Sequence, residues 1–105
     1  MTEIIEYDVI VSDAALAMLD NHIEFLARVS TQAAEDLMDE ILNDAASLSQ
    51  FPERFPCFES DFIPESRYRK MLSAKRYLIL YEIYEKAVCV DYIVDCRQDY
   101  EWLLL

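Results

Sequence analysis

The alternation of apolar and polar positions predicts one strand followed by two amphipathic helices. Residues 4–11 are rich in β-branched and aromatic side chains, which favour a strand. Ser12 and Asp13 offer an N-cap side chain for the first helix, and Ser30 and Thr31 offer one for the second. The two helices are predicted from apolar stripes at spacings of three and four, namely Leu16, Leu19, Ile23 and Leu26, then Leu37, Ile41, Ala45 and Leu48.

The second half of the chain is predicted to form a loop and three strands. Residues 50–65 contain all three prolines, which break helices and central strands, and the phenylalanines between them are expected to pin this loop to the core. The predicted strands are residues 68–72, Tyr77–Tyr84 and Ala87–Asp95, with a tight turn at Glu85 and Lys86 and an apolar tail over residues 100–105. On the last strand, four side chains are expected to share one face: Val88, Val90, Tyr92 and Val94.

This order of elements predicts a single two-layer α+β domain over residues 1–105. The last three strands are expected to form an antiparallel meander, and the N-terminal strand and the helical hairpin are expected to pack on it, in the order β-α-α-β-β-β. The chain shows no internal repeat and no low-complexity segment.

Composition removes several classes of function. The chain has no glycine, which excludes the glycine-rich loops of dinucleotide-binding sites, P-loops and nucleophile elbows. Three cysteines without CxxC spacing and a single histidine do not support a structural zinc site, so no cofactor or metal is expected. The cysteine usage, an N-terminus unlike a signal peptide and the lack of a long apolar run together predict a cytoplasmic protein without membrane contact.

The net charge of -12 is distributed unevenly. Residues 1–66 hold two basic and fifteen acidic residues, whereas residues 67–105 hold seven basic and six acidic ones. Arg67, Arg69 and Lys70 form a local basic patch on the predicted meander. This patch is either a solvated surface that protects a sheet edge or a site for phosphate or an acidic partner.

Other side chains with chemical potential are interpreted more simply. His22 lies beside the apolar stripe of the first helix, which favours an ordinary surface or boundary position. Asp36 and Glu40 are four residues apart, as two metal ligands on a helix would be, but the pattern favours a solvated face. Cys96 adjoins Arg97, whose charge favours a thiolate, yet a structural role is preferred.

Three stretches in order resemble toxins of the RelE/ParE superfamily from bacterial type II toxin–antitoxin systems. They are FPERFP at 51–56, YRKMLSAKRYLILYEIYEKAVCVDYIVDCRQDY at 68–100 and WLLL at 102–105. The resemblance implies a small cytoplasmic toxin that is neutralised by a cognate antitoxin. RelE-like members cleave mRNA in the ribosomal A site, whereas ParE-like members act on DNA gyrase.

The resemblance implies site residues, with departures from the mRNA-cleaving pattern. Arg69 and Arg97 match basic positions on the sheet, and Tyr100 lies in the region of a C-terminal catalytic tyrosine. Met71 and Leu78 stand where the cleaving branch carries a lysine and an arginine. A ParE-like or attenuated activity is therefore favoured. The alternatives are a ribosome-dependent mRNA endoribonuclease and a non-toxic protein-binding module on the same fold.

The resemblance also predicts how the antitoxin binds. Antitoxins of this superfamily wrap their toxins with an extended segment that folds on binding. An acidic part of that segment is expected to cross the basic patch of Arg67, Arg69 and Lys70. Oligomeric state does not follow from the sequence.

Overall fold

The computed structural model describes residues 5–58 and 67–96. In chain order its elements are β1 (Asp8–Val11), α1 (Asp13–Ala27), α2 (Thr31–Ala46), β2 (Arg69–Ser73), β3 (Tyr77–Tyr84) and β4 (Ala87–Asp95). Short 3-10 turns at Ser47–Ser49 and Pro52–Arg54 continue the chain after α2.

Both helices begin at the predicted caps. The Ser12 side chain accepts a hydrogen bond from the Ala15 backbone N–H at 3.0 Å, and the Ser30 side chain accepts one from Ala33 at 3.1 Å. These bonds satisfy N–H groups that the first turn of a helix leaves without intrahelical partners. The local sequence thus fixes where each helix starts.

The strands form one mixed sheet in the order β1-β4-β3-β2. β1 pairs in parallel with β4, and the other neighbouring strands are antiparallel. β1 starts at Asp8, later than the predicted residue 4, and Glu6 makes only an isolated bridge with Gln50. The helical hairpin covers one face of the sheet, so the predicted two-layer α+β fold is confirmed.

The main core lies between the hairpin and this covered face. Its largest fully buried side chains come from both layers: Leu19, Ile41 and Leu48 from the helical layer, with Ile79, Tyr81, Val88, Val90 and Ile93 from the sheet. Burial of such apolar side chains is the main favourable contribution to folding. A polar contact adds to it where the Ser73 hydroxyl of β2 donates to the Asp44 carboxylate of α2 at 2.7 Å.

The bounds predicted for β3 and β4 match the structure, but the predicted face of β4 is wrong beyond Val90. A register shift pairs Tyr81 with Val90 and Leu80 with Tyr92, which leaves Asp91 as an extra residue. Such a bulge reverses which side chains face the core. Val90 therefore packs under the helices, whereas Tyr92 packs on the opposite face.

Backbone turns in this glycine-free chain use other residues in the left-handed region. Among the described residues, φ is positive at Phe51 (51°), Ala74 (50°), Lys75 (69°) and Glu85 (54°). Ala74 and Lys75 lie between β2 and β3, and Glu85 lies between β3 and β4. A left-handed backbone costs roughly 1–2 kcal/mol at a residue with a Cβ, so the fold pays for these turns in stability.

Candidate functional site

The sheet face opposite the helices, called the open face below, carries a mixed surface. A small second cluster forms there around Phe58, Tyr68 and Leu80, with Leu78 and Tyr92 packed against it. At the margins of the open face, Leu72 is 59% exposed and Tyr84 is 69% exposed. This face therefore combines apolar contact area with nearby charges.

Tyr68 is the centre of a polar network on the open face. Its hydroxyl donates to the Asp91 carboxylate at 2.9 Å, and its ring meets Tyr92 edge-on with centroids 5.9 Å apart. The β4 bulge at Asp91 brings that carboxylate to Tyr68. Burial, and next the hydrogen bond to Asp91, raise the pKa of Tyr68 well above its ordinary value of 10.0. At neutral pH this phenol is therefore a proton donor in a hydrogen bond and not a base.

Arg67 is attached to the same network. Its guanidinium carbon lies 5.0 Å from the centroid of the Tyr68 ring, and its Nε lies 3.5 Å from the Glu82 carboxylate. The Arg67 side chain is 50% exposed and that of Glu82 is 33% exposed. The positive charge of Arg67 is thus balanced locally while the side chain still faces solvent.

Arg69 has a different environment because it lies on the covered face. Its Nη1 group donates to the backbone carbonyls of Phe55 at 2.6 Å and Glu53 at 3.1 Å. Its register partner Tyr81 donates to the Pro52 carbonyl at 2.6 Å, and burial raises the pKa of Tyr81 to about 12. Arg69 and Tyr81 together hold the loop over residues 51–56 against the sheet.

The predicted basic patch is consequently divided. Arg67 contacts Tyr68 and Glu82 on the open face, and Lys70 pairs with Leu80 of the same face. Arg69 is directed into the loop on the other side. Arg97 and Tyr100, the other two candidate catalytic residues, lie outside the described residues. Met71 is a core residue, and Leu78 packs against the open-face cluster.

Neither Cys89 nor Cys96 lies in surroundings that favour a thiolate. Burial, and next the nearby Asp95, raise the pKa of the Cys96 thiol, so Cys96 favours the protonated form. Burial also raises the pKa of Cys89. The His22 ring lies edge-on to Tyr77 with centroids 5.2 Å apart, which agrees with a boundary position. Within residues 5–58 and 67–96, no group of three or more acidic, histidine or cysteine side chains is arranged to hold a metal ion.

Sequence reasoning missed the clamp on the proline-rich loop. It predicted that the phenylalanines pin this segment, and Phe55 and Phe58 do pack against the two clusters. Phe51 is instead 65% exposed, and Phe62 lies outside the described residues. The carbonyl contacts of Arg69 leave no signal in the sequence, since a backbone acceptor has no residue type.

Comparison with known proteins identifies the class to which this fold belongs. The family model described as "ParE toxin of type II toxin-antitoxin system, parDE" matches residues 9–100. The chain therefore belongs to the ParE toxin family of type II toxin–antitoxin systems. It is a toxin of that class, and its partner is a cognate antitoxin.

A solved structure supports the fold independently. The "Chromosomal ParDE TA system from P. aeruginosa" superposes with a TM-score of 0.71 at 14% sequence identity, covering 86% of this chain and 96% of the other. A search of curated proteins finds no matching relative. In the described ranges no helix is long and apolar enough to cross a membrane.

Proposed function

We propose that this toxin acts in the cytoplasm on DNA gyrase, the target of ParE-like members, and does not cleave mRNA. The placement of Arg69 carries the proposal. Cleavage of a phosphodiester requires donors aimed at the charge that develops in the transition state. The Arg69 guanidinium donates instead to the Glu53 and Phe55 carbonyls on the covered face.

Two further positions support a non-cleaving mechanism. Leu78 belongs to the apolar cluster of the open face, and Met71 is buried in the main core. Neither side chain stabilises an anion. Removal of one such donor from an active site costs about 3 kcal/mol of transition-state stabilisation.

Two assays on the purified toxin separate the proposal from its rivals. We expect inhibition of DNA supercoiling by gyrase and no cutting of mRNA on programmed ribosomes. Robust mRNA cleavage that disappears in Arg97→Ala would overturn the proposal and establish the RelE-like alternative. Soluble expression without growth arrest and without gyrase inhibition would establish a non-toxic binding module.

We also propose that the basic residues on β2 and its N-terminal flank contact an acidic segment of the antitoxin. Arg67 and Lys70 lie on the open face, and Arg69 contributes by fixing the adjoining loop. Opposite charges across an interface increase the association rate. The double variant Arg67→Glu/Lys70→Glu is expected to bind the antitoxin more slowly, and Lys86→Glu in the β3–β4 turn is the control. Equal association rates for the two variants would contradict this contact.

A further inference from the structure

Helix α1 carries a second apolar stripe beside the one that enters the core. Met18, His22, Phe25 and Val29 follow one another at spacings of four, three and four residues. Met18 and His22 are partly buried, but Phe25 is 70% exposed and Val29, in the turn after α1, is 79% exposed. The stripe thus starts under cover and ends in solvent.

The exposed end of this stripe lies beyond the end of the sheet. The Ser12 N–H donates to the Val90 carbonyl at 2.9 Å, and the His22 ring contacts Tyr77, whose partner on β4 is Asp95. The ten residue steps from Ser12 to His22 span about 15 Å along a helix, and the five steps from Val90 to Asp95 span about 17 Å along a strand. His22 therefore reaches the last strand pair, and the helix continues past it.

Residues 24–36, called the hairpin tip below, lie outside the main core. Among them only Ala34 is buried, and no residue of this range belongs to the core cluster. Phe25 and Val29 therefore add little to the stability of the toxin. Single exposed apolar residues are common, but Phe25 in the last turn of α1 and Val29 in the turn that follows place two large ones close together along the chain.

The charges of α1 and α2 around the hairpin tip indicate which kind of partner binds there. Residues 13–46 hold eight acidic residues and one basic residue, Arg28. A second copy of the chain would bring a net charge of -12 to this negative surface. Residues 97–105 are not complementary either, because they hold one basic and two acidic residues. A complementary occupant comes from another protein and is positively charged.

We propose that the hairpin tip is a docking surface for a cationic amphipathic segment of the cognate antitoxin. Apolar side chains of that segment pack on Phe25 and Val29, and its Lys or Arg side chains face the acidic surfaces of α1 and α2. The proposal rests on the toxin–antitoxin class of the protein and not on gyrase as its target. This contact is separate from the acidic contact at Arg67 and Lys70, at a different part of the molecule.

The test measures binding of the full-length antitoxin encoded beside the toxin gene, by titration calorimetry. We expect Phe25→Ala to weaken binding about tenfold, as truncation of an aromatic anchor typically does, and Val29→Ala to add to this loss. Phe51→Ala is the matched control, because Phe51 is a phenylalanine of similar exposure, 65% against 70%, and it follows the C-terminal end of α2, whereas the hairpin tip contains the start of α2. Unchanged affinity in the Phe25 and Val29 variants, or an equal loss in the control, would overturn the proposal.

A second set of variants tests the charge of the segment. Glu24→Gln/Glu35→Gln is expected to weaken binding several-fold at low salt and less at high salt, because added ions screen exposed charges. Glu85→Gln, outside the hairpin, is expected to bind like the wild type. A salt-independent effect would contradict a cationic segment. If the hairpin-tip variants sediment differently from the wild-type toxin in the absence of antitoxin, while their affinity for the antitoxin is unchanged, the surface binds a second copy of the toxin. That result would overturn the proposal.

Gyrase inhibition, measured with the free toxin, distinguishes a failure of the docking proposal from a failure of the proposed function. We expect the hairpin-tip variants to inhibit as strongly as the wild type. Lost inhibition with unchanged antitoxin affinity would assign the tip to the target and overturn antitoxin docking. If the wild type itself does not inhibit gyrase, the proposed function fails while the binding measurements still decide the docking proposal.

Discussion

The two faces of the sheet use the same residue types in opposite ways. Arg69 and Lys70 are adjacent and both basic, yet the pleat of β2 directs Arg69 into loop carbonyls and Lys70 to the open face. Tyr81 and Tyr68 repeat this contrast, since Tyr81 donates to a backbone carbonyl and Tyr68 to a carboxylate. The number of basic residues in the sequence of a strand therefore does not give the number of cationic side chains on one surface of the sheet.

The largest difference is expected between Arg69 and Lys70. Arg69→Met removes two hydrogen bonds from a charged donor, and each such bond contributes about 1.5–3 kcal/mol. Allowing for packing retained by methionine, we expect a loss of about 2 kcal/mol in the free energy of unfolding, measured with urea. Lys70→Met is the matched control and should change it by no more than about 0.5 kcal/mol. Equal losses would refute the division between the two faces.

The tyrosines extend the comparison to alkaline pH. Folding raises the pKa of Tyr81 from 10.0 to about 12, because burial favours the neutral phenol. Its contribution to stability is thus complete below pH 10 and is lost as the pH rises from 10 towards 12. Tyr81→Phe should cost about 1 kcal/mol at neutral pH and should lose less additional stability than the wild type over that alkaline interval, by urea unfolding. If Tyr81→Phe and the wild type lose the same free energy of unfolding between pH 10 and pH 12, the stabilising role assigned to the Tyr81 phenol is wrong.

The β2–β3 turn lies at the edge of the main core, against which Ala74 packs, and it tests the cost of a left-handed backbone. Ala74 has a φ of 50°, which glycine adopts without steric cost. Ala74→Gly should raise the melting temperature, through a gain of about 1 kcal/mol. Ala17→Gly, at an exposed position within α1, should lower the free energy of unfolding by about the same amount. Destabilisation by both variants would show that the turn is not strained.

The sequence predicted the elements well because their signals are local. Ser12 and Ser30 cap the helices through hydrogen bonds to residues only three positions later, and the length of β3 follows from its own apolar run. The face of β4 depended on a bulge at Asp91. That bulge is defined by its pairing with β3 and not by composition, so alternation alone placed Tyr92 on the wrong face.

The candidate site was less predictable for a related reason. A resemblance assigns residue types to positions, but the surroundings of Arg69 are set by a loop more than ten residues away, at Glu53 and Phe55. The pleat alone separates Arg69 from Lys70, and this part was available from the sequence. The hydrogen-bond partner of each guanidinium could not be predicted from the sequence, because Arg67 donates to a carboxylate on β3 whereas Arg69 donates to backbone oxygens.

The smallest effect is expected for the ion pair on the open face. Arg67 and Glu82 approach only to 3.5 Å with both side chains partly exposed, and solvent-exposed pairs of this kind contribute little to stability. Arg67→Gln should therefore leave the urea midpoint unchanged while slowing association with the antitoxin, measured by surface plasmon resonance. Glu82→Gln, which frees the guanidinium from its partner, should speed association. If both variants instead lower the urea midpoint as Arg69→Met does, Arg67 is a structural clamp, and the contrast between an open binding face and a covered structural face is lost.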